Sequence, residues 1–248
     1  EINSKSGLYP LYVAYSMYRA KLGDRIENET DIAELNRLWY EAVSENVFVI
    51  CKTPMAKSIT RRTLLGYQNS AYNAHYFDDL INMLKNKPEQ FKKRILKGSY
   101  WKKEVKEMKF DAVVGNPPYQ EMDGGSGYGV SSVPLYNYFV ENAKRLDAKY
   151  LSMIMPARWY AGGRGLDDFR NSMINDNHIK TIHDFTDANE CFAGVNIGGG
   201  ICYFLRDLSY YGGCEITNHN NGAFSTMTRP LNEYEILVKS IFNKESDK

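Results

Sequence analysis

The stretch "FDAVVGNPPYQEMDGG", Phe110 to Gly125, decides how the rest of the chain is read. Its first six residues are an apolar run closed by glycine, the pattern of a short buried strand. The run stops at Asn116-Pro117-Pro118-Tyr119. Pro118 forces Pro117 into an extended conformation, both prolines have a fixed φ, and neither carries an N–H. The tetrapeptide is therefore stiff and presents carbonyl acceptors with no competing donors. Asn116 adds a side-chain carbonyl, and Tyr119 adds a flat ring with a polar tip. Two fixed acceptors beneath an aromatic plane suit a planar aromatic amine. One amine hydrogen goes to the Asn116 side chain and the other to the Pro117 carbonyl, while the ring stacks on Tyr119. Such an amine is a poor nucleophile, because its lone pair is delocalised into the ring. Acceptors that favour a tetrahedral nitrogen localise the lone pair and stabilise the transition state more than the ground state. No strong general base is required, since the resulting aminium is acidic and loses its proton afterwards.

Elements alternate on both sides of this stretch. Upstream, Leu8–Leu22 has helical apolar spacing, and a second helix is predicted from Asp31 to about Val43 with Thr30 as its N-cap. "NVFVIC" (Asn46–Cys51) reads as a buried strand, and "PMAKSITRRTLLGY" (Pro54–Tyr67) as a helix with Pro in its first turn. From about Asp78 to Lys109 a charged stretch is predicted mostly helical, broken at Pro88. Downstream, Gln120–Ser132 is a glycine-rich loop placed to close over a bound ligand, with Met122 and Tyr128 its most substantial side chains. Then come a helix (Pro134–Leu146), the strand "YLSMIMP", a helix (Gly165–Asp176) and the strand "IKTIHDF". "GGICYFL" and "CEITNH" are expected to pair antiparallel with each other. This order predicts an α/β fold with a mostly parallel sheet, an antiparallel strand pair near the C-terminus and helices on both faces. In such sheets ligands bind beyond the carboxyl ends of the strands, which is where Asn116 falls.

The composition, 43% hydrophobic and 25% charged, supports a proper core over 248 residues. With 31 basic and 30 acidic residues the chain is not basic overall, so nucleic-acid contacts are expected from local patches or from other segments. The 19 tyrosines exceed what a core needs and suit stacking on flat ligands, although core-edge packing accounts for most of them. Cys51, Cys191, Cys202 and Cys214 have no CxxC spacing, which argues against zinc or a disulfide framework and fits a reducing cytoplasm. No metal site is expected, nor a signal peptide or an apolar run of membrane-spanning length. His178 and His183, which flank a strand, read as structural.

The Asn-Pro-Pro-Tyr motif resembles that of S-adenosylmethionine-dependent amino-methyltransferases, most closely the adenine-N6 DNA methyltransferases. The similarity extends over nearly the whole chain to the methylase domains of fused type II restriction-modification enzymes. It implies a Rossmann-like methyltransferase sheet, S-adenosyl-L-methionine as cofactor and base flipping on double-stranded DNA. "MPARWYAGGRGLDDFR" resembles the strand and Gly-rich turn that follow the catalytic motif. "DANECFAGVNIGGGICYFLRD" resembles the late motif whose aromatic packs on the other face of the extruded base. The catalytic residues implied are Asn116, Pro117, Pro118 and Tyr119, with Tyr119 and Phe192 sandwiching the adenine. Glu1, Asn3, Ser6 and Gly7 stand at the cofactor loop, with Lys5 where a glycine is usual. Cys51 and Lys52 fill the place of the acidic residue that grips the ribose, and Met55 packs on the cofactor's adenine. Asn116 also borders the cofactor, while Asp111 reads as a strand-edge residue. Arg158 and Arg164 are the implied phosphate contacts, with Arg170, Lys57, Arg61 and Arg62 as further candidates.

Residues 1–235 are expected to form one methyltransferase domain, truncated at its N-terminus. Residues 236–248 would begin a C-terminal helix or linker towards a target-recognition region. That region and a nuclease domain of the same polypeptide are the partners implied. Two other readings stay open. A protein-glutamine N-methyltransferase also uses Asn-Pro-Pro-Tyr to hold a planar amide nitrogen. A catalytically silent methylase-like DNA-binding module would explain the departures at Lys5 and Cys51–Lys52.

Overall fold

The computed structural model of the chain describes residues 1–27, 30–121, 133–194, 197–235 and 237. The predicted loop through Met122 and Tyr128, and the predicted C-terminal helix other than Leu237, lie outside the described residues. The chain forms two compact units. The first comprises Glu1–Lys109 with Val114–Asn116, and the second Phe110–Val113 with the described residues from Pro117 onward.

In the first unit β1 (Ile2–Ser4) and α1 (Leu8–Leu22) are followed by α2 (Ile32–Asn46), β2 (Phe48–Cys51), α3 (Pro54–Leu65), β3 (Asn73–Tyr76), α4 (Leu80–Asn86) and α5 (Pro88–Ile95). The strands form a sheet in the order β1-β2-β3, with both pairings parallel. Its core joins Ala14 of α1, Val43 of α2, Val49 and Cys51 of β2, Leu64 and Leu65 of α3 and Ala74 of β3. The N-cap of α2 is Asp31, whose carboxylate accepts the Ala33 N–H at 2.9 Å, one residue beyond the expected Thr30. Thr53 caps α3 by accepting the Ala56 N–H at 3.1 Å. Trp39 fastens α2 to α3 by donating its indole N–H to the Leu64 carbonyl at 2.9 Å.

Two strands of this sheet were not expected. β1 and β3 carry polar residues and show no alternating pattern. β3 is held instead by Asn73, whose amide nitrogen donates to the carbonyls of Ser44 and Val47 at 2.7 and 3.0 Å. The charged stretch is helical only as far as a 3-10 turn at Gly98–Trp101. Beyond it the backbone folds back on itself, and a Cβ at Gly98 would lie 1.7 Å from the Val105 carbonyl oxygen.

β4 (Ala112–Gly115) begins in the second unit, which also contains the two-residue strands β5 (Gln120–Glu121) and β6 (Val133–Pro134), and α6 (Tyr136–Lys144). These are followed by β7 (Tyr150–Pro156), α7 (Asp167–Ile174), β8 (Ile179–Phe185), β9 (Ile201–Asp207), β10 (Cys214–Asn220) and β11 (Ala223–Arg229). Six strands form one sheet in the order β11-β10-β8-β9-β7-β4. β9 runs antiparallel to both β7 and β8, and β10 runs parallel to β8. The Tyr150 N–H donates to the Asp111 carbonyl at 2.8 Å, which sets the starts of β4 and β7 side by side. Thus β4, β7, β8 and β10 share one direction, while β9 and β11 oppose it. The α/β class and the mostly parallel sheet with antiparallel strands near the C-terminus are those expected from the sequence.

One pairing is corrected. "GGICYFL" does not pair with "CEITNH". β9 inserts between β7 and β8, and the antiparallel partner of β10 is the unforeseen β11. The two-residue turn between β10 and β11 is Asn221-Gly222, with φ of 51° and 79°, an arrangement that Asn-Gly favours in tight hairpins. A shielded ion triad braces the opposite end of the sheet. Asp176 accepts from Lys144 Nζ at 3.0 Å and from Arg206 Nε at 2.8 Å. No helix among the described residues is long and apolar enough to cross a membrane.

Candidate active site

The shared strand direction brings the segments after β4, β7, β8 and β10 to one end of the second sheet. After β4 comes Asn116-Pro117-Pro118-Tyr119. Pro117 is buried, and Asn116, Pro118 and Tyr119 are half-buried. The Tyr119 carbonyl accepts the Leu135 N–H at 3.1 Å, and Gln120 pairs with Pro134 in the β5–β6 ladder. The motif is thus clamped immediately downstream as well as stiffened by its own prolines. Tyr119 also has its hydroxyl shielded from solvent. The Asn116 carboxamide makes no hydrogen bond to another described residue, so its oxygen is available as an acceptor.

After β7 the chain makes a 3-10 turn, Ala157–Tyr160, and a glycine-rich loop into α7. Arg158 is exposed between buried Ala157, Trp159 and Tyr160. Trp159 donates its indole N–H to Cys202 Sγ at 3.5 Å. The Tyr160 hydroxyl meets Asp184 and Cys202, and burial first, then these two neighbours, push its pKa far up. The flanks of Arg158 are therefore fixed while its own side chain faces solvent. Arg164 is also exposed, at φ 50°, and neither arginine forms an ion pair among the described residues. Arg170 differs from them. It donates to the Ala161 carbonyl at 3.0 Å and pairs with Asp167 at 3.3 Å, and a Cβ at Gly162 would lie 2.2 Å from its guanidinium. Arg170 holds the loop closed and is not a free phosphate contact.

After β8 comes the Phe192 loop. Asp187 accepts the Asn189 N–H at 2.9 Å, Asn189 in turn accepts the Gly194 N–H at 3.0 Å, and Phe192 donates its N–H to Ala188 at 2.9 Å. Phe192 is half-buried and stacks on no aromatic ring among the described residues. The far end of the loop is fixed at Gly200, whose carbonyl accepts the Ala157 N–H at 3.1 Å. His178 and His183 sit where structural histidines should. The first pairs with the Tyr210 carbonyl at 2.7 Å, and the second with His219 at 3.2 Å while stacking on Tyr203.

In the first unit, the loop from β1 into α1 carries the sequence-predicted cofactor residues. Asn3 has φ 73° and Gly7 φ 80°. A Cβ on Gly7 would lie 3.0 Å from both Thr60 Cα and Thr63 Cβ, so the loop lies directly on α3. Ser4 joins this seam by accepting from the Gly7 N–H and the Thr60 hydroxyl, both at 3.2 Å. Ser6 is exposed at the crest, and Asn3 is buried. Glu1 continues β1 backwards, its nitrogen donating to the Phe48 carbonyl at 2.8 Å. Burial raises the pKa of its carboxyl against the opposing hydrogen bond of Ser4, and Oε2 is buried with no partner among the described residues.

Cys51 is wholly buried beside Thr60 (3.9 Å), and burial pushes its thiol up to about 11. The exposed residue at that strand end is Lys52, and Met55 on α3 is 72% exposed. An orphaned carboxylate oxygen beside a close-packed glycine loop fits the ammonium and hydroxyl donors of S-adenosylmethionine. Sequence reasoning missed Ser4 and Thr60, which shape this loop. They lie 56 residues apart, and no local pattern links them.

In the basic segments of α3, Arg61 donates to the Gln68 carbonyl at 2.9 Å, Arg62 lies 4.0 Å over the Tyr67 ring and Lys57 lies 5.9 Å over Tyr76.

Residues 45–192 match the family model described as Eco57I restriction-modification methylase. A protein of Mycoplasma pneumoniae (strain ATCC 29342 / M129 / Subtype 1), described as "Uncharacterized adenine-specific methylase", is 34% identical over 147 residues. That alignment covers 59% of this chain and 33% of the relative, so the chain corresponds to about a third of that protein's length. Among solved structures, the type IIL restriction-modification enzyme MmeI in complex with DNA superposes with a TM-score of 0.56 at 13% identity, over 92% of this chain and 34% of that one. A chain of a type I R-M system gives 0.55 at 12% identity, over 88% of this chain and 40% of that one. These two likenesses show a shared fold.

Proposed function

The chain belongs to the Eco57I restriction-modification methylase family, and we propose on that footing that it methylates the exocyclic amine of adenine in double-stranded DNA. Residues 1–235 are the methyltransferase domain in this reading. A target-recognition region, and a nuclease domain where the parent protein has one, lie elsewhere in the same polypeptide, which works in the cytoplasm. The observation that carries the reading is the intact Asn116–Tyr119 segment. It is stiffened by two prolines, clamped through the Tyr119 carbonyl, and has an Asn116 acceptor unclaimed by any described residue.

S-Adenosyl-L-methionine, when bound, supplies the electrophilic methyl group. Glu1, Asn3, Ser6 and Gly7 would hold its amino-acid portion and Met55 its adenine, with Asn116 bordering it. Cys51 contributes through the buried frame beneath the site and not by touching a ribose. Asn116 and the Pro117 carbonyl take the two hydrogens of the target amine and localise its lone pair for attack. Tyr119 and Phe192 cover the two faces of the extruded base, which offsets the cost of unstacking it. After attack the aminium proton passes to water. Arg158, within the 3-10 turn, and Arg164, in the glycine-rich loop after it, hold phosphates.

The test is transfer of a labelled methyl group from S-adenosylmethionine to unmethylated duplex DNA by the purified full-length protein. Wild type should label adenine, and Asn116→Ala should lower the rate about 100- to 1000-fold, the scale of losing one transition-state hydrogen bond. Asn116→Ala with unchanged transfer would sink the proposal. The second reading, a silent DNA-binding module, is favoured by one observation: no acidic side chain stands at the end of β2, where Cys51 is buried and Lys52 exposed. It predicts no cofactor binding by calorimetry.

A further inference from the structure

We propose that Glu190 is a positioning residue for the stacking ring of Phe192, and that it acts by tying the Phe192 loop to the β10–β11 hairpin. The inference rests on the reading of Phe192 as a base-stacking residue. Glu190 closes the short 3-10 turn Ala188–Glu190, two residues before Phe192. Its carboxylate is exposed and has no cationic partner among the described residues. It reaches across to the turn of the hairpin instead. Oε1 accepts the Asn221 N–H at 3.1 Å and Oε2 the Gly222 N–H at 3.4 Å. Both donors are presented by the left-handed Asn221-Gly222 turn.

Three restraints therefore converge on one loop. The Asp187–Asn189–Gly194 relay fixes its internal shape. Gly200 fixes its base, where a Cβ would lie 2.1 Å from the Phe185 carbonyl oxygen. Neither of these sets the angle at which the loop leans from the sheet. Glu190 does, because it links the turn carrying Phe192 sideways to the hairpin, further along the loop than the Thr186 N–H that donates to the His219 carbonyl at 3.3 Å. Phe192 stacks on no aromatic ring among the described residues, so the backbone of its turn sets where the ring is presented. The link also gives the hairpin a role. β11 is largely exposed and Phe224 is 69% exposed, so this outer strand adds little to the core, whereas β10 is mostly buried. As an abutment for the stacking loop, it belongs to the apparatus that captures the target base.

The experiment uses the full-length protein on an oligonucleotide centred on the adenine it methylates, mapped first by single-molecule sequencing. Each variant is assayed on a fully paired duplex and on one with the target adenine opposite an abasic site, where extrusion is already easy. Glu190→Ala should lower kcat on paired DNA about tenfold, the worth of one charge-assisted hydrogen bond, with KM for cofactor unchanged. The loss should shrink to less than about threefold on the abasic duplex. Glu190→Gln keeps one acceptor and should recover part of the rate, which keeps the test alive if the alanine variant folds poorly. Glu215→Ala, an exposed position on β10, serves as control and should match wild type.

Wild-type kcat in Glu190→Ala and Glu190→Gln overturns the inference. So does a loss of equal size on both duplexes, because that is what general destabilisation gives. Failure of the underlying reading looks different: Phe192→Ala would then show no loss confined to paired DNA, or wild type would methylate no adenine at all.

Discussion

Gly7 shows how a single residue carries both a fold and a site. Its φ of 80° suits glycine, and a Cβ there would press on Thr60 and Thr63 of α3 at 3.0 Å. Gly7→Ala should cost about 1–2 kcal/mol for the left-handed conformation alone. It should also weaken S-adenosylmethionine binding at least about tenfold, because the loop must lift from α3. Calorimetric titration and a urea melt separate the two effects. Gly200→Ala should be worse, since its Cβ would meet a backbone carbonyl that cannot swing aside. The loss should exceed about 3 kcal/mol, within reach of unfolding the domain.

At this scale the rigidity of the Asn-Pro-Pro-Tyr segment and its place at a strand end were legible from sequence. The stiffness of two prolines is a local property and survives any tertiary context. The orientation of Cys51 was not, because whether a strand-end residue faces core or solvent is set by what packs on it, here Thr60 of α3. Nor was Arg170 separable from Arg158 and Arg164. All three are arginines in one segment, and only the loop geometry at Gly162 shows that one of them is already engaged.

Whole elements were legible where the apolar pattern was strong. "YLSMIMP" and "IKTIHDF" are strands over the residues expected, and Leu8–Leu22 is helical throughout. β1 and β3 were invisible because polar residues fill them and parallel neighbours hold them. β11 was foreshadowed only by Asn221-Gly222, a two-residue hairpin signal in a stretch otherwise too polar to read as strand.

The Lys144–Asp176–Arg206 triad joins α6, the turn after α7 and β9, with side chains only 9–13% exposed. Burial alone would raise the Asp176 pKa, but Lys144 and Arg206 outweigh it and hold the carboxyl below the usual range. A folded-state pKa below the unfolded one means the contribution is fully present above the unfolded value. It is lost as pH falls through the folded value. Stability should therefore begin to fall below about pH 4, the ordinary carboxyl value. Asp176→Asn should cost about 3 kcal/mol at neutral pH, because two cations are left without their anion in a shielded site. Urea melts across the acid range should show that deficit narrowing as the wild-type carboxyl protonates.

Arg158 and Arg164 make a separate prediction for the turn between β7 and α7. Replacing either with Ala should reduce the slope of log K against log salt for DNA binding by about 0.9, one phosphate contact each. Arg170→Ala should alter stability more than that slope.

Across the molecule, one consistent direction of β4, β7, β8 and β10 gathers the Asn-Pro-Pro-Tyr segment, the Arg158 turn, the Phe192 loop and the β10–β11 turn at a single end of the second sheet. The alternation of elements made the place of Asn116 at the carboxyl end of a mostly parallel sheet legible before any coordinates, but not the β10–β11 turn. The insertion of β9 between β7 and β8 was not, since strand order in a mixed sheet depends on long-range pairing that no local pattern encodes. The chain corresponds to about a third of its M. pneumoniae relative. Its sequence specificity and its partners are accordingly sought in the whole protein. In the proposed mechanism Asn116 and the Pro117 carbonyl activate the amine of a flipped adenine. Mass spectrometry of nucleosides from duplex DNA treated with the protein and S-adenosylmethionine tests it most directly. The account predicts N6-methyldeoxyadenosine from wild type and none above background from Asn116→Ala, with cofactor affinity retained. No N6-methyldeoxyadenosine from a wild-type protein that binds the cofactor and the DNA, or an undiminished yield from Asn116→Ala, would contradict it.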